Sequence, residues 1–253
     1  MLGANSRRAN KKGIARMKFF KLSLAAAAAT VALGGAAMAQ EVSLSYNVGI
    51  ASDYVFRGVS QTQEDPQVFG GVDLGYGIGY AGVWASNVDF GTSDPSVEVD
   101  LYAGIKPTVG DVALDFGVLY YGYVEDKNGL PGKFSYTELK AAASKPFGKL
   151  TLGVAGYWSP EFPGNGGEAS YVEINGALPV AEKFTVSGAV GYQTVDTDGY
   201  FAGIGTDYTT WNLGVGYALT DKLGVDVRYW NTDEKDYGDI YGQRIAVSLK
   251  AAF

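Results

Sequence analysis

The chain has no cysteine and no histidine among its 253 residues. The first absence removes disulfide staples, thiolate nucleophiles and thiolate metal sites. The second removes the imidazole with which many hydrolases activate a serine or a water. No G-x-S-x-G elbow is present, and nothing selects one pair of carboxylates from the 27 acids. An enzyme is therefore not expected, and neither is a cofactor. Long apolar runs are missing too: after residue 39 no segment approaches the ~20 apolar residues of a spanning helix. Basic charge is scarce in the same region. Of 20 Lys+Arg and 27 Asp+Glu, seven basic residues fall within 1–39, leaving 13 against 27 and a net charge of −14. Such a surface repels nucleic acid and anionic lipid, so no nucleic-acid partner is expected.

What is present begins at residues 18–39. Lys18-Phe19-Phe20-Lys21 precede a run of Ala, Leu and Val from Leu22 to Leu33, and Ala37-Met38-Ala39 closes the segment. A basic n-region, a short apolar h-region and an A-x-A site read as an export signal, with the mature chain starting at Gln40. Met17 is the expected natural start, which would make residues 1–16 an upstream extension. The expected organisation is a removed segment 1–39 and one domain over 40–253.

That domain is rich in Gly and Tyr, with 36 and 18 in the whole chain, and poor in helix-favouring stretches. Candidate strands are 42–58, 67–77, 79–88, 96–106, 111–124, 134–147, 149–159, 168–179, 182–194, 208–219, 222–231 and 240–253. Their connections alternate. Gly77-Ile78-Gly79, 107–110, Gly148, 180–182 and Thr220-Asp221 are tight, whereas 59–66, 89–95, 125–133, 160–167, 195–207 and 232–239 are longer and polar. An even-stranded antiparallel barrel has this rhythm, with turns on the periplasmic side and loops outside.

The side-chain period agrees. In 208–219, Trp211, Leu213, Val215, Tyr217 and Leu219 oppose Thr210, Asn212, Gly214, Gly216 and Ala218. The last strand alternates likewise, with Ile245, Val247, Leu249, Ala251 and Phe253 on one face. A soluble barrel would put bulky residues inside; here the second face is small and polar, so the apolar face belongs against lipid. The fold class is all-β, a single antiparallel up-and-down transmembrane β-barrel of about 12 strands. Tyr54, Phe56, Tyr76, Tyr80, Phe147, Trp158, Tyr217 and Trp230 fall near strand ends and suit an interfacial aromatic belt.

On this register the lumen receives Asp53, Arg57, Asp73, Glu98, Asp100, Lys106, Asp115, Glu138, Lys140, Glu173, Asp226, Arg228, Arg244 and Lys250. Inward charges must be wet or paired. They either line a water-filled channel with a weak cation preference or cross-link a closed plug. Size leaves both open: a twelve-strand barrel is roughly 24 Å across its backbone, of which side chains remove about 10 Å. The outer loops are acidic, at Glu64-Asp65, Glu125-Asp126, Asp196, Asp198, Asp207, Asp233-Glu234, Asp236 and Asp239. Asp196-x-Asp198-Gly199 has the start of a calcium loop without its later ligands, and no metal site is assigned. Gly77-x-Gly79-x-x-Gly82 matches a dinucleotide fingerprint by letter, but a strand follows it, so it is a turn.

Residues Tyr46 to Thr62, running Tyr-Asn-Val-Gly-Ile-Ala-Ser-Asp-Tyr-Val-Phe-Arg-Gly-Val-Ser-Gln-Thr, resemble the N-terminal signature of the TorF-like family of proteobacterial outer-membrane proteins assigned as porins. Val83-Trp84-Ala85-Ser86-Asn87-Val88 and Glu98-Val99-Asp100-Leu101-Tyr102 are similar to two further blocks of that family. The resemblance implies an outer-membrane β-barrel without a settled cargo, in which Asp53 and Arg57 are motif residues of no assigned role. The expected function is passive diffusion of small hydrophilic solutes or ions across the outer membrane. The alternative is a non-conducting structural or interaction barrel whose acidic loops bind divalent cations, lipopolysaccharide or a surface partner. Expected partners are outer-membrane lipid and lipopolysaccharide, and the barrel-assembly machinery through the strand ending in Phe253.

Overall fold

The computed structural model describes residues 42–91, 95–124 and 134–253; the segment read as an export signal and Glu125-Asp126 lie outside the described residues. Fifteen strands occur in chain order: β1 Val42–Ala51, β2 Val55–Phe56, β3 Val59–Ser60, β4 Gln67–Tyr76, β5 Gly79–Asn87, β6 Val97–Ile105, β7 Thr108–Val109, β8 Val112–Val124, β9 Tyr136–Phe147, β10 Leu150–Phe162, β11 Gly167–Pro179, β12 Phe184–Val195, β13 Asp207–Ala218, β14 Leu223–Thr232 and β15 Arg244–Ala252. Twelve form the wall; β7 only extends a turn, and β2 with β3 makes a separate hairpin. Every wall strand pairs antiparallel with its neighbours in sequence. The circle closes where β1 meets β15, Ile50 opposite Leu249 and Val48 opposite Ala251. Closure leaves no open edge, as a lipid-embedded sheet requires.

The turns form for local reasons. Gly77 (φ 59°) and Gly148 (φ 66°) supply the left-handed backbone that tight hairpins need between β4 and β5 and between β9 and β10.

The apolar sets lie outside. Leu44, Val48 and Ile50 on β1, Leu213 and Val215 on β13, and Ile245 and Val247 on β15 all expose their side chains. Burying one such side chain is worth ~1.5–3 kcal/mol. A band of them around the whole wall is stable in hydrocarbon and not in water, so this is a transmembrane barrel of outer-membrane type.

Two expectations are corrected. The alternation of 42–58 predicts one strand, but the wall strand ends at Ala51 and residues 52–62 turn into the barrel. The aromatic belt also loses members: Tyr54, Phe56, Tyr80 and Trp230 line the interior, while Tyr76, Phe147 and Trp158 stay exposed. Tyr217 packs at 4.6 Å on Phe184 of the neighbouring strand. The outer mouth has a small core of its own, in which Val59, Ala169, Val195, Phe201 and Tyr208 are buried under Tyr200, Tyr237 and Tyr241. Burial pushes the Tyr200 phenol up to about 12, so it remains a neutral donor to the Pro163 carbonyl.

Candidate functional site

Residues 52–62 form a strap through the lumen, built on the β2–β3 hairpin. Its two central residues, Arg57 (φ 49°) and Gly58 (φ 85°), both have positive φ, the geometry of a two-residue primed turn. Glycine is needed at 58 twice over: any Cβ there would strike the side chains of Thr210 and Thr232 on β13 and β14. Arginine at 57 carries a left-handed backbone at a cost of roughly 1–2 kcal/mol, which its contacts must offset.

Those contacts cross the barrel. The Arg57 guanidinium donates to both carboxylate oxygens of Glu138 at 2.8 Å and to Gln193 Oε1 at 3.0 Å. It also lies over the rings of Tyr171, Phe56 and Tyr157, at 4.3, 4.7 and 4.9 Å. Arg57 is 4% and Glu138 2% exposed, so the pair is taken fully from water, where a one-sided loss is severe. At the other end of the strap, Asp53 accepts from Ser60 Oγ (2.6 Å), Thr62 Oγ1 (3.0 Å) and the Arg244 guanidinium on β15 (3.2 Å). Tyr54 donates to Glu98 on β6 at 2.8 Å. Burial, and then the Glu98 charge, raise the Tyr54 phenol well above its ordinary value, so it stays protonated. Val59 sits in the outer-mouth core. The strap is thus tied to both sides of the wall by charge, hydrogen bonds and apolar packing.

Between the strap and the tight-turn rim lies a vestibule of about 600 Å³. Its charges are largely paired. Lys140 Nζ meets Asp115 at 2.7 Å, and Arg228 meets Asp226 at 3.0 Å while reaching Asn212 Oδ1 at 2.6 Å and Ser187 Oγ at 2.7 Å. Asp73 accepts from Tyr102 Oη at 2.6 Å, and Lys106 Nζ lies 4.4 Å over the Tyr80 ring. Asp100 and Lys250 face the same space. Glu173 accepts from Tyr171 Oη at 2.9 Å and Asn175 Nδ2 at 3.0 Å.

Of the residues read as inward from the sequence, the structure brings Asp73, Asp100, Lys106, Asp115, Lys140, Asp226, Arg228 and Lys250 to the vestibule. Glu98, Glu138 and Arg244 hold the strap, and Glu173 sits beside Tyr171 within the wall. Asp53 and Arg57 act from the strap and not from a wall strand. Their partners differ accordingly: Asp53 finds Arg244 on the strand next to β1, whereas Arg57 reaches Glu138 across the lumen. Sequence reasoning missed Gln193, Thr210 and Thr232 as strap contacts, and Trp84 as an inward ring. One signal was available: Arg57-Gly58 between Val55-Phe56 and Val59-Ser60 has the form of a two-residue hairpin.

The Gcw_chp family model, described as "Bacterial protein of unknown function", matches residues 35–253. The chain belongs to this family. No curated protein matches it. Among solved structures, the Gcw_chp barrel is similar to one described as "KdgM porin", with a TM-score of 0.55 at 8% identity over 83% of this chain and 98% of that one. A "NanC porin" structure gives the same TM-score and coverages at 12% identity. A further KdgM structure, described as in complex with disordered oligogalacturonate, gives a TM-score of 0.53 at 8% identity, over 83% and 98% of the two chains. The Gcw_chp chain shares the porin-like fold of these proteins.

Proposed function

We propose that this Gcw_chp protein is an outer-membrane channel for passive diffusion of small hydrophilic solutes or ions, narrowed toward its outer mouth by its own first loop. The observation that carries the reading is the vestibule: a cavity inside an apolar cylinder that gathers charged side chains and tyrosines, which a purely structural barrel has no need to maintain. The similarity of Tyr46 to Tyr102 to the TorF-like family of porins supports the same assignment. In this reading the chain is exported with residues 1–39 removed and 40–253 forming the barrel. It is inserted by the barrel-assembly machinery through the strand ending in Phe253, and its acidic loops stand among lipopolysaccharide. The fourteen inward charged residues set the charge preference of the path, and transport requires no chemistry.

A second reading is favoured by one feature. Val59 is packed into the outer-mouth core with Phe201 and Tyr208, which anchors the strap to the loops of the outer mouth. A barrel that stays closed would serve a structural or binding role through its acidic loops. Planar-bilayer recording of purified, refolded protein separates the two. Discrete conductance steps support the channel, and their absence from protein that is folded by its heat-dependent gel shift supports the closed barrel.

A further inference from the structure

Glu98 and Asp100 stand two residues apart on the inward face of β6, and their carboxyl groups are hydrogen-bonded to each other. Glu98 is 2% and Asp100 9% exposed. Neither forms an ion pair among the described residues, whereas Asp53, Asp115, Glu138 and Asp226 each meet a basic group. Ionised carboxylates only accept, so a hydrogen bond between two carboxyls requires a proton on one of them. Glu98 already accepts from the Tyr54 hydroxyl at 2.8 Å and from Tyr123, directly opposite on β8. With Glu98 the acceptor in each of these contacts, the proton sits on Asp100 and the charge on Glu98.

This acid pair lies where the strap meets the wall. Tyr54 ties the strap to Glu98, and its ring packs edge-on against Trp84 with centroids 5.4 Å apart. Trp84 is directly opposite Asp100 in the β5–β6 register. The two rings beside Asp100 are each seated over a glycine: a Cβ on Gly82 would strike the Tyr102 ring, and one on Gly71 would come within 3.2 Å of Trp84 Cδ1. Tyr121 faces Asp100 from β8, with Tyr136 and Glu138 beyond it on β9. β5 places only Ser86 and Trp84 opposite the two acids. The nearby cation, Arg57 on the strap, is held by both oxygens of Glu138. No base is left over to match a second charge on β6.

We propose that the Glu98–Asp100 pair is a proton-dependent latch for the strap. While the pair holds its proton, Glu98 is a single charge satisfied by Tyr54 and Tyr123, and the strap stays seated. When the proton leaves, two like charges face each other in a site without a base, and such a pair persists only if water reaches it. Tyr54 and the strap cover the site, so hydration displaces them. The sign follows: the strap is held on the acidic side and released as pH rises. The latch goes beyond the channel reading and does not require conduction.

The test uses refolded full-length protein in detergent. The infrared C=O stretch of a protonated carboxyl reports the proton, and chymotryptic cleavage after Tyr54 or Phe56 reports the strap. The native protein should show an acid band that Asp100→Asn lacks. From mildly acidic to alkaline buffer, its cleavage rate should rise about tenfold relative to Asp100→Asn at the same pH, since cleavage tracks the open population. Asparagine donates to Glu98 without titrating, and the tyrosines are unchanged, so their ionisation and the protease's own pH dependence cancel. Glu98→Gln leaves one carboxyl and no like-charge pair; it should flatten the profile as well, and it covers failure of Asp100→Asn to fold. Absence of the acid band, identical profiles for the native protein and a folded variant, or loss of the band with the strap still protected would each overturn the latch.

Discussion

Arg57 and Glu138 are 81 residues apart in sequence, yet their side chains meet through two parallel contacts of 2.8 Å toward the outer end of the lumen. This pair joins the segment that enters the barrel to β9, five strands around the wall from β1, where that segment leaves. Glu138 also accepts from Tyr121 Oη at 3.1 Å, and Gln193 shares the arginine. Few other contacts in the molecule have so direct a bearing on whether the lumen is open.

Glu138→Gln should therefore loosen the strap. Removing one side of a buried pair strands the other, at a cost of about 3–5 kcal/mol. The expected result is a larger single-channel conductance together with a lower unfolding midpoint in denaturant. Replacing both Arg57 and Glu138 with methionine should restore most of the stability, since no unpaired charge is then left buried.

Gly58→Ala should act at the same place for a different reason. The left-handed backbone and the contact with Thr210 and Thr232 both disfavour a Cβ there. Partial displacement of the hairpin is expected, read as faster proteolytic cleavage within 52–66 while the wall strands stay protected. Gly58→Ala combined with Thr210→Gly should recover part of the protection.

Reversing one vestibule charge should shift ion preference. Lys140→Glu leaves Asp115 facing a second acid and lowers the net charge of the lumen by two. Unit charges interact by ~1 kcal/mol at 4 Å in water, and by about half that at twice the distance. Cation over anion permeability should therefore rise roughly two- to fivefold at low salt, measured as a reversal potential across a salt gradient. An unchanged reversal potential would mean that ions do not pass Lys140.

The orientation of the wall can be checked residue by residue. Single-cysteine labels at Val186, Val215 and Leu249 should be quenched by acyl-chain nitroxides in a reconstituted bilayer. Labels at Ser187, Asn212 and Lys250 should not. Ser187 and Asn212 already meet Arg228 inside the barrel, so exchange of the two sets would contradict the apolar face as the lipid face.

Much of the wall was readable residue by residue. Alternation in 208–219 placed Leu213 and Val215 outside and Asn212 inside because the pleat repeats every two residues whatever the rest of the chain does. Turn positions followed from Gly77 and Gly148 for the same local reason. The strap was not readable in this way. Val55-Phe56 and Val59-Ser60 follow directly on a strand and are rich in strand-favouring residues, so local propensity could not separate a strand in the wall from a hairpin within it.

The amino-acid order by itself determined the number of wall strands, the antiparallel winding and the facing of the regularly alternating wall residues, since these depend on neighbours within a few positions. Only the closed tertiary structure decided that residues 52–62 leave the wall, that Trp84 and Tyr102 lie over glycines, and that Arg57 is matched to Glu138. Those outcomes depend on which distant strands closure brings face to face. A buried charge settles wherever the partners are that can compensate its lost hydration.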